Sequence, residues 1–219
     1  MRFKVDLKIF LFLILFYFTK QIEIYVMILF FAIIHEIAHL LMGIALGMKA
    51  NSIEVNPYGV SIAFELLPED YNKKIKKGNQ LQIKNAIVAI AGPLLNFIII
   101  IIVSKMSIEI NLKLLIAYSN FLIAIFNLIP IYPLDGGRIL QSILHIYFGK
   151  RKAEKYTNII SGVILTILTF LGSIVILYVK NIAIFIIIIF LWILFLQEDL
   201  IYRKKNKIYD LIEKTIENK

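Results

Sequence analysis

The sequence contains no cysteine among its 219 residues. A disulfide framework is therefore excluded, and so is any zinc site built on thiolates. A metal bound by this chain has to be held by histidine and carboxylate ligands, and there are only three histidines. The first apolar run is followed by no small-residue cleavage site, so we expect the N-terminus to be retained as a membrane anchor.

Most of the chain is apolar. Hydrophobic residues make up 60% of the sequence and the mean hydropathy is +0.83, whereas about 45–50% is usual for a soluble domain. This composition indicates a membrane protein. The net charge of +9 comes from basic residues scattered between apolar runs, and it forms no continuous face of the kind that binds nucleic acid.

Six segments are candidates to cross a membrane. A hydrocarbon core of about 30 Å requires about 20 apolar residues per helix, and five segments approach that length. They are Tyr25–Met48, Ala86–Val103, Leu112–Pro130, Asn158–Val179 and Ile182–Leu196. A sixth, Ile9–Phe18, is short, but Lys8 and Lys20 at its ends can extend toward the headgroups.

The placement of the basic residues favours counting the short segment as a span. Short cytoplasmic loops are enriched in lysine and arginine. Six spans with both termini in the cytoplasm place 20 of the 24 basic residues on the cytoplasmic side. The outer side then has only Lys20, Lys105, Lys113 and Lys180. We therefore predict an all-α polytopic membrane protein, with six transmembrane helices over residues 1–200 and a short amphipathic cytoplasmic tail over residues 201–219.

A small β element is expected between the second and third spans. Apolar residues alternate with others from Ile53 to Phe64, and the sequence Asn56-Pro57-Tyr58-Gly59 suits a turn. We predict a membrane-associated β-hairpin at this position. The sequence shows no internal repeat and leaves no room for a second folded domain.

The apolar stretch Phe30–Met48 holds His35, Glu36 and His39 at its centre. In a helix the two histidines lie one turn apart on one face, about 6 Å along the axis, so both rings can bind one ion. An adjacent carboxylate that accepts a proton from water completes the pattern of a zinc hydrolase. Ionisable groups at this depth each cost about 2.5–3.5 kcal/mol or more and indicate function by default. The alternatives are a neutral hydrogen-bonded cluster between helices and a site that only stores metal.

A catalytic zinc takes three protein ligands and keeps a fourth position for water, so a third ligand is required. His145 precedes a basic run and suits an interfacial histidine. Glu65, Glu69 and Asp70 belong to the hairpin and its exit, where exposed carboxylates are ordinary.

Asp135 is the strongest candidate for that ligand. Pro130 and Pro133 interrupt the apolar segment before it, and two glycines follow it. A helix broken at membrane depth is tolerated only inside protein or beside a wet cavity, where an acid can turn toward an ion. The alternative is a local pair between Asp135 and Arg138 at an ordinary helix start.

Three motifs together resemble the site-2 proteases, which are intramembrane zinc metalloproteases. They are HEIAH at 35–39, AGPLLN at 91–96 and NLIPIYPLDGGR at 127–138, in that family's order and on successive membrane segments. The six-span layout and the NPYG turn are most similar to the bacterial stage IV sporulation protein FB subgroup. The resemblance extends over residues 1–200.

The resemblance implies one Zn²⁺ per chain, held by His35, His39 and Asp135, with Glu36 as general base. It marks Asn127 and Asn96 as candidates to position the substrate or to stabilise an oxyanion. The implied substrate is a membrane-associated precursor of a sporulation sigma factor, and the implied location is a bacterial inner membrane, forespore-surrounding or plasma, with regulatory membrane-protein partners. The PDZ and CBS domains of many relatives are not expected in this chain.

Two other classes of function are compatible with buried histidines and aspartate. A metal-ion transporter would be expected to show inverted repeats with ligands from both halves, and none is visible. A non-catalytic membrane scaffold would have no need of Glu36. The sequence therefore favours a protease without excluding either alternative.

Overall fold

The computed structural model describes residues 2–5, 22–56, 59–65, 75–179 and 182–217. In chain order, the elements are β1 (Arg2–Val5), α1 (Ile22–Ala45), β2 (Lys49–Asn56), β3 (Gly59–Glu65), α2 (Ile75–Lys105), α3 (Ile110–Leu128), α4 (Asp135–Phe148), α5 (Lys150–Val179) and α6 (Ile182–Glu217). The chain divides after Leu128 into two compact units.

In the first unit, helices α1, α2 and α3 pack against one another, and α1 also contacts the sheet. One stripe of α1 is buried, formed by Phe31, His35, His39 and Gly43 at four-residue intervals. Residues four apart lie on the same face of a helix, so this stripe faces the protein. The remaining faces of α1 expose large apolar side chains, as expected of a helix solvated by lipid.

A glycine turn ends α1 and directs the chain into the sheet. Gly47 has a φ of 77°, and its N–H donates to the carbonyl of Ile44 at 2.9 Å. The N–H of Met48 reaches the carbonyl of Gly43, also at 2.9 Å. These two bonds form a Schellman motif, which satisfies carbonyls that the last helical turn leaves without donors.

The three strands form one sheet in the order β1-β2-β3. Strands β2 and β3 pair antiparallel, with Asn56 opposite Gly59 and Lys49 opposite Glu65. Strand β1 pairs with β2 in parallel, from Arg2 opposite Ser52 to Val5 opposite Val55. A parallel pair requires a crossover connection, and α1 lies between the two strands in the sequence.

In the second unit, α5 packs against both α4 and α6. Leu165 and Leu191 are among its most buried apolar side chains. The indole N–H of Trp192 donates to Thr169 Oγ1 at 3.0 Å. Arg151, at the start of α5, pairs with Asp210 near the end of α6. Polar contacts therefore join α5 and α6 as well as apolar packing.

Five of the described helices are long and apolar enough to cross a membrane. The spans are Glu23–Ala45, Asn79–Lys105, Ile110–Leu128, Lys150–Tyr178 and Phe185–Leu211. Each overlaps one of the five longer segments chosen from the sequence. They support an integral membrane protein, in agreement with the composition.

The predicted fold class is nevertheless wrong. The described residues contain five candidate transmembrane helices rather than six, and the sixth prediction, Ile9–Phe18, lies outside them. The described helix that is not a candidate, α4, has 14 residues, or about 21 Å, which is too short for a hydrocarbon core of about 30 Å. The β element is a three-stranded sheet, so the all-α class with a separate hairpin does not hold. The domain boundary predicted at residue 200 falls inside the continuous helix α6 and stays a prediction.

The packing of α5 can be tested by truncating one buried side chain. Leu165 is 0% exposed, whereas Leu171 on the same helix is 51% exposed. We expect Leu165→Ala to destabilise the protein by about 2 kcal/mol or more, because a cavity removes packing contacts that are not replaced. Thermal unfolding in detergent should show a lower midpoint. Leu171→Ala serves as the control and should change the midpoint little, and equal losses in the two variants would contradict the packing described here.

Candidate metal centre

His35 and His39 lie on successive turns of α1, and both side chains are buried. Their ring centroids are 4.7 Å apart and the ring planes meet at 85°. The two Nε2 atoms are 3.1 Å apart. The helical spacing expected from the sequence therefore brings one nitrogen of each ring to a common point.

Hydrogen bonds at the other ring nitrogens identify which atom of each histidine carries a proton. His39 Nδ1 lies 2.6 Å from the backbone carbonyl of Val88. A carbonyl can only accept, so His39 Nδ1 is the donor. His35 Nδ1 lies 2.5 Å from Asn96 Oδ1, again an acceptor. In a neutral imidazole the second nitrogen then presents a lone pair, so both Nε2 atoms are acceptors.

This arrangement fits a bound cation. Two lone pairs directed at each other at 3.1 Å repel unless positive charge lies beside them. Zinc binds histidine nitrogens at about 2.0–2.1 Å with tetrahedral angles, which separates two such nitrogens by about 3.3–3.4 Å. The observed separation is close to that value. Neutral imidazoles with Nδ1–H bonded to a carbonyl or amide oxygen are also the form in which histidine ligates metal.

Gly92 keeps the space beside the two nitrogens open. A Cβ built on Gly92 would lie 2.6 Å from both Cε1 and Nε2 of His35, and it would also collide with His39 Nε2. Pro93 follows within the same helix. Only a residue without a side chain is compatible with the histidine pair at this position, which gives the glycine of the AGPLLN motif a physical reason.

Asp135 is buried at the first position of α4. A carboxylate at a helix N-terminus is stabilised by the N–H groups and dipole of the first turn. The preceding segment folds back on this turn. A Cβ on Gly137 would lie 2.6 Å from the carbonyl oxygen of Ile131, and the N–H of Tyr132 donates to Ser161 Oγ at 3.1 Å. The glycine and these contacts fix the backbone on either side of Asp135.

The three residues expected to hold a metal belong to two units. His35 and His39 each offer one ring nitrogen in the first unit. Asp135 lies in the second unit, and its role as the third ligand stays a prediction. Glu36 follows His35 on α1 and is half-buried. Asn127 is also half-buried, and its Nδ2 donates to the carbonyl of Ile123 at 3.0 Å. Two imidazoles and a carboxylate are a donor set typical of zinc.

His145 is not part of this group. It lies on α4, half-buried, and its backbone carbonyl accepts from the N–H of Gly149. Burial lowers the pKa of His145, and the positive charge of Lys150 lowers it further. Among the described residues, the two imidazoles whose Nε2 atoms lie close together are those of the other two histidines.

Two contributors to the centre were missed in the sequence. Val88 supplies only a backbone carbonyl, for which no side-chain signal exists. Asn120 lies on α3 and its side chain bonds to Asn96. A polar amide in an apolar helix is a signal that could have identified Asn120, because such residues are rare at membrane depth without a role.

The second unit also contains a polar cavity of about 60 Å³. Its lining includes Tyr132, Glu154, Thr157, Glu198 and Lys205. The hydroxyl of Thr157 and one carboxylate oxygen of Glu154 are buried there with no hydrogen-bond partner among the described residues. A polar cavity of this size has room for ordered water.

Replacing Gly92 by alanine should abolish zinc binding. The new methyl group would occupy the space beside the ligand nitrogens, so the histidine rings would have to move apart. Zinc content of the purified protein, measured by mass spectrometry of the metal, should fall to background. Gly162→Ala is the matched control, because its Cβ would meet only the ring of Phe195, 3.1 Å away at the nearest atom, and should leave zinc content unchanged. Full zinc occupancy in Gly92→Ala would rule out this location for the metal.

Parts of the chain are similar to known proteins. Residues 105–171 match the family model of peptidase family M50. A zinc metalloprotease of Methanocaldococcus jannaschii is 31% identical over 139 residues, which is 60% of this chain and 37% of that protein. A candidate zinc metalloprotease of a Synechocystis species is 30% identical over 117 residues, or 50% of this chain and 28% of that protein. The chain thus spans 37% and 28% of the lengths of these two relatives.

A solved structure is similar over most of its length. The site-2 protease from Methanocaldococcus jannaschii gives a TM-score of 0.64 at 25% sequence identity, with 90% of this chain and 89% of that chain covered. This chain is therefore similar to peptidase family M50 over residues 105–171, to two zinc metalloproteases over half or more of its own length, and to a site-2 protease in its fold.

Proposed function

We propose that the chain is an intramembrane zinc metalloendopeptidase. It hydrolyses a peptide bond in or near the membrane segment of a membrane-associated protein. The observation that carries the proposal is the buried pair of Nε2 atoms, 3.1 Å apart, with both Nδ1 atoms bonded to oxygen acceptors. The similarity to a site-2 protease supports the same activity.

In this proposal His35, His39 and Asp135 hold one Zn²⁺. When bound, zinc lowers the pKa of a water molecule and polarises a carbonyl oxygen. Glu36, next to His35 in the sequence, accepts the proton that the attacking water loses and returns it to the leaving amine. Asn127 is half-buried and keeps an amide oxygen and a second N–H for the substrate backbone, the role predicted for it from the sequence.

Hydrolysis accounts for these residues better than transport. A carboxylate beside the ligands is needed to move a proton, whereas metal passage has no requirement for one. The space at Gly92 is also narrow, because even one added carbon would contact the histidines. Such a site suits a resident ion more than an ion in transit.

The substrate, membrane and orientation rest on sequence resemblance. We propose that the substrate is a membrane-tethered transcription factor precursor, of the sporulation sigma factor type, and that the protein is of the stage IV sporulation protein FB subgroup. Its membrane is then a bacterial inner membrane, and regulatory membrane proteins are expected as partners. The basic residues between the spans favour cytoplasmic termini.

Glu36→Gln separates the proposed protease from the other two classes. The amide cannot accept a proton, so we expect cleavage to fall by about 10²–10⁴-fold, the usual contribution of a general base. Zinc content should be retained, because the ligands are unchanged. Cleavage can be followed by immunoblotting after co-expression with candidate membrane-tethered precursors. Undiminished cleavage would remove Glu36 from the mechanism.

Asp135→Asn tests the third ligand. Replacing the charged ligand by a neutral amide should weaken zinc binding by more than about 100-fold. The loss of a residue that only hydrogen-bonds to a ligand weakens metal binding by up to about 100-fold, and the loss of a ligand should exceed it. Affinity is measured by competition with a chelator in detergent. Asp199→Asn is the control, since Asp199 is also a buried aspartate but bonds to Asn158 and Arg203. Equal zinc affinity in Asp135→Asn and in the unmodified protein would contradict the assignment.

A further inference from the structure

We propose that Asn120 is a positioning residue that, through Asn96, keeps the proton of His35 on Nδ1 and so leaves Nε2 as the metal ligand. The inference deepens the proposed zinc site and rests on it. It concerns the part of the centre built by α1, α2 and α3, and it gives Asn120 a role.

A chain of three hydrogen bonds leads from His35 to the backbone of α3. His35 Nδ1 lies 2.5 Å from Asn96 Oδ1. Asn96 Nδ2 donates to Asn120 Oδ1 at 2.9 Å, and Asn120 Nδ2 donates to the carbonyl of Ile116 at 2.9 Å. Asn96 is 1% exposed and Asn120 is 0% exposed, so no solvent competes for these bonds.

The backbone carbonyl at the end of the chain determines the direction of every bond in it. Ile116 O can only accept, so Asn120 must present its NH₂ group there and its oxygen to Asn96. Asn96 must then present its own NH₂ to Asn120 and its oxygen to His35. His35 Nδ1 is consequently the donor. Reversing any member would leave two donors or two acceptors facing each other in a buried place, which costs about 1–3 kcal/mol per unsatisfied group.

The proton of His39 is held on Nδ1 without a series of side-chain hydrogen bonds. Its Nδ1 bonds directly to the carbonyl of Val88, whose polarity is fixed. An amide side chain has no fixed polarity, because its oxygen and nitrogen can exchange places by rotation. Asn96 therefore needs a second partner to hold it in one orientation, and Asn120 is that partner. The same bonds occupy both ends of the Asn96 amide, which suits a positioning role rather than the oxyanion role predicted from the sequence.

The proton position can be measured directly in the metal-free protein. Labelling with ¹⁵N-histidine and recording ring nitrogen shifts distinguishes an Nδ1–H from an Nε2–H tautomer, and the His35 signals are assigned from a His35→Gln variant. We expect Nδ1–H at His35 in the unmodified protein. A predominant Nε2–H tautomer at His35 would overturn the inference.

Asn120→Leu removes the partner while keeping a side chain of similar size. The Asn96 amide can then face either way, so we expect a mixture of His35 tautomers and a loss of about 10-fold in zinc affinity. This factor is the lower end of the losses seen when a hydrogen-bond partner of a metal ligand is removed. Ser119→Ala is the matched control. Ser119 is equally buried and is adjacent on α3. Its hydroxyl has no hydrogen-bond partner in the part of the chain that the structure describes, so its removal should change neither quantity.

A double variant separates proton positioning from packing. A carboxylate at position 96 offers only acceptors, so Asn96→Asp should direct the His35 proton to Nδ1 whatever lies at position 120. Asn96→Asp combined with Asn120→Leu should therefore recover most of the zinc affinity lost in Asn120→Leu. If the affinity is not recovered, or if Ser119→Ala loses as much, Asn120 acts through packing and the inference is wrong. An unmodified protein that binds no zinc would instead refute the proposed function and leave the tautomer result unaffected.

Discussion

The centre depends on one constraint, which is that a polar group buried in an apolar layer must have a hydrogen-bond partner of the right polarity. His35 and His39 lie on a helix whose other faces are lipid-facing apolar side chains. Lipid cannot complete their hydrogen bonding, and an unpaired group costs several kcal/mol. Each ring therefore needs one protein acceptor at Nδ1. Because each Nδ1 donates to a protein acceptor, each Nε2 has a lone pair, and the two lone pairs are directed to one point.

Helix α2 supplies most of what the histidines require. Val88, Gly92 and Asn96 are spaced by four residues and are all buried, so they form one stripe of the helix. The stripe provides a carbonyl for His39, an open space for an ion, and an amide oxygen for His35. Three different functions thus come from a single helix face, and each uses a group with little or no apolar bulk. A side chain at position 92 would displace the histidines.

The sequence predicted the histidine pair better than it predicted the fold around it. The spacing of His35 and His39 determines a shared helix face, so their geometry follows from helix periodicity alone. Asp135 could be chosen because few acidic residues lie near a break in an apolar segment. The sheet was harder, because β1 is four residues long and its parallel partner lies beyond α1. The roles of Val88 and Asn120 depend on which helices are neighbours, and hydrophobic periodicity carries no information about that.

The two histidines differ in how their protons are held, and this difference has a consequence for tolerance to substitution. His39 depends on a backbone carbonyl, which is present whatever side chain occupies position 88. His35 depends on two amide side chains, Asn96 and Asn120, each of which a single substitution can remove. Substitution of a side chain does not remove a backbone acceptor. Substitution of Asn96 or Asn120 can remove an acceptor made of side chains, and the loss of such hydrogen-bond partners weakens metal binding without abolishing it. In the proposed zinc site, metal affinity is therefore more adjustable through His35 than through His39, and the adjustment can be made from α3 without altering a ligand.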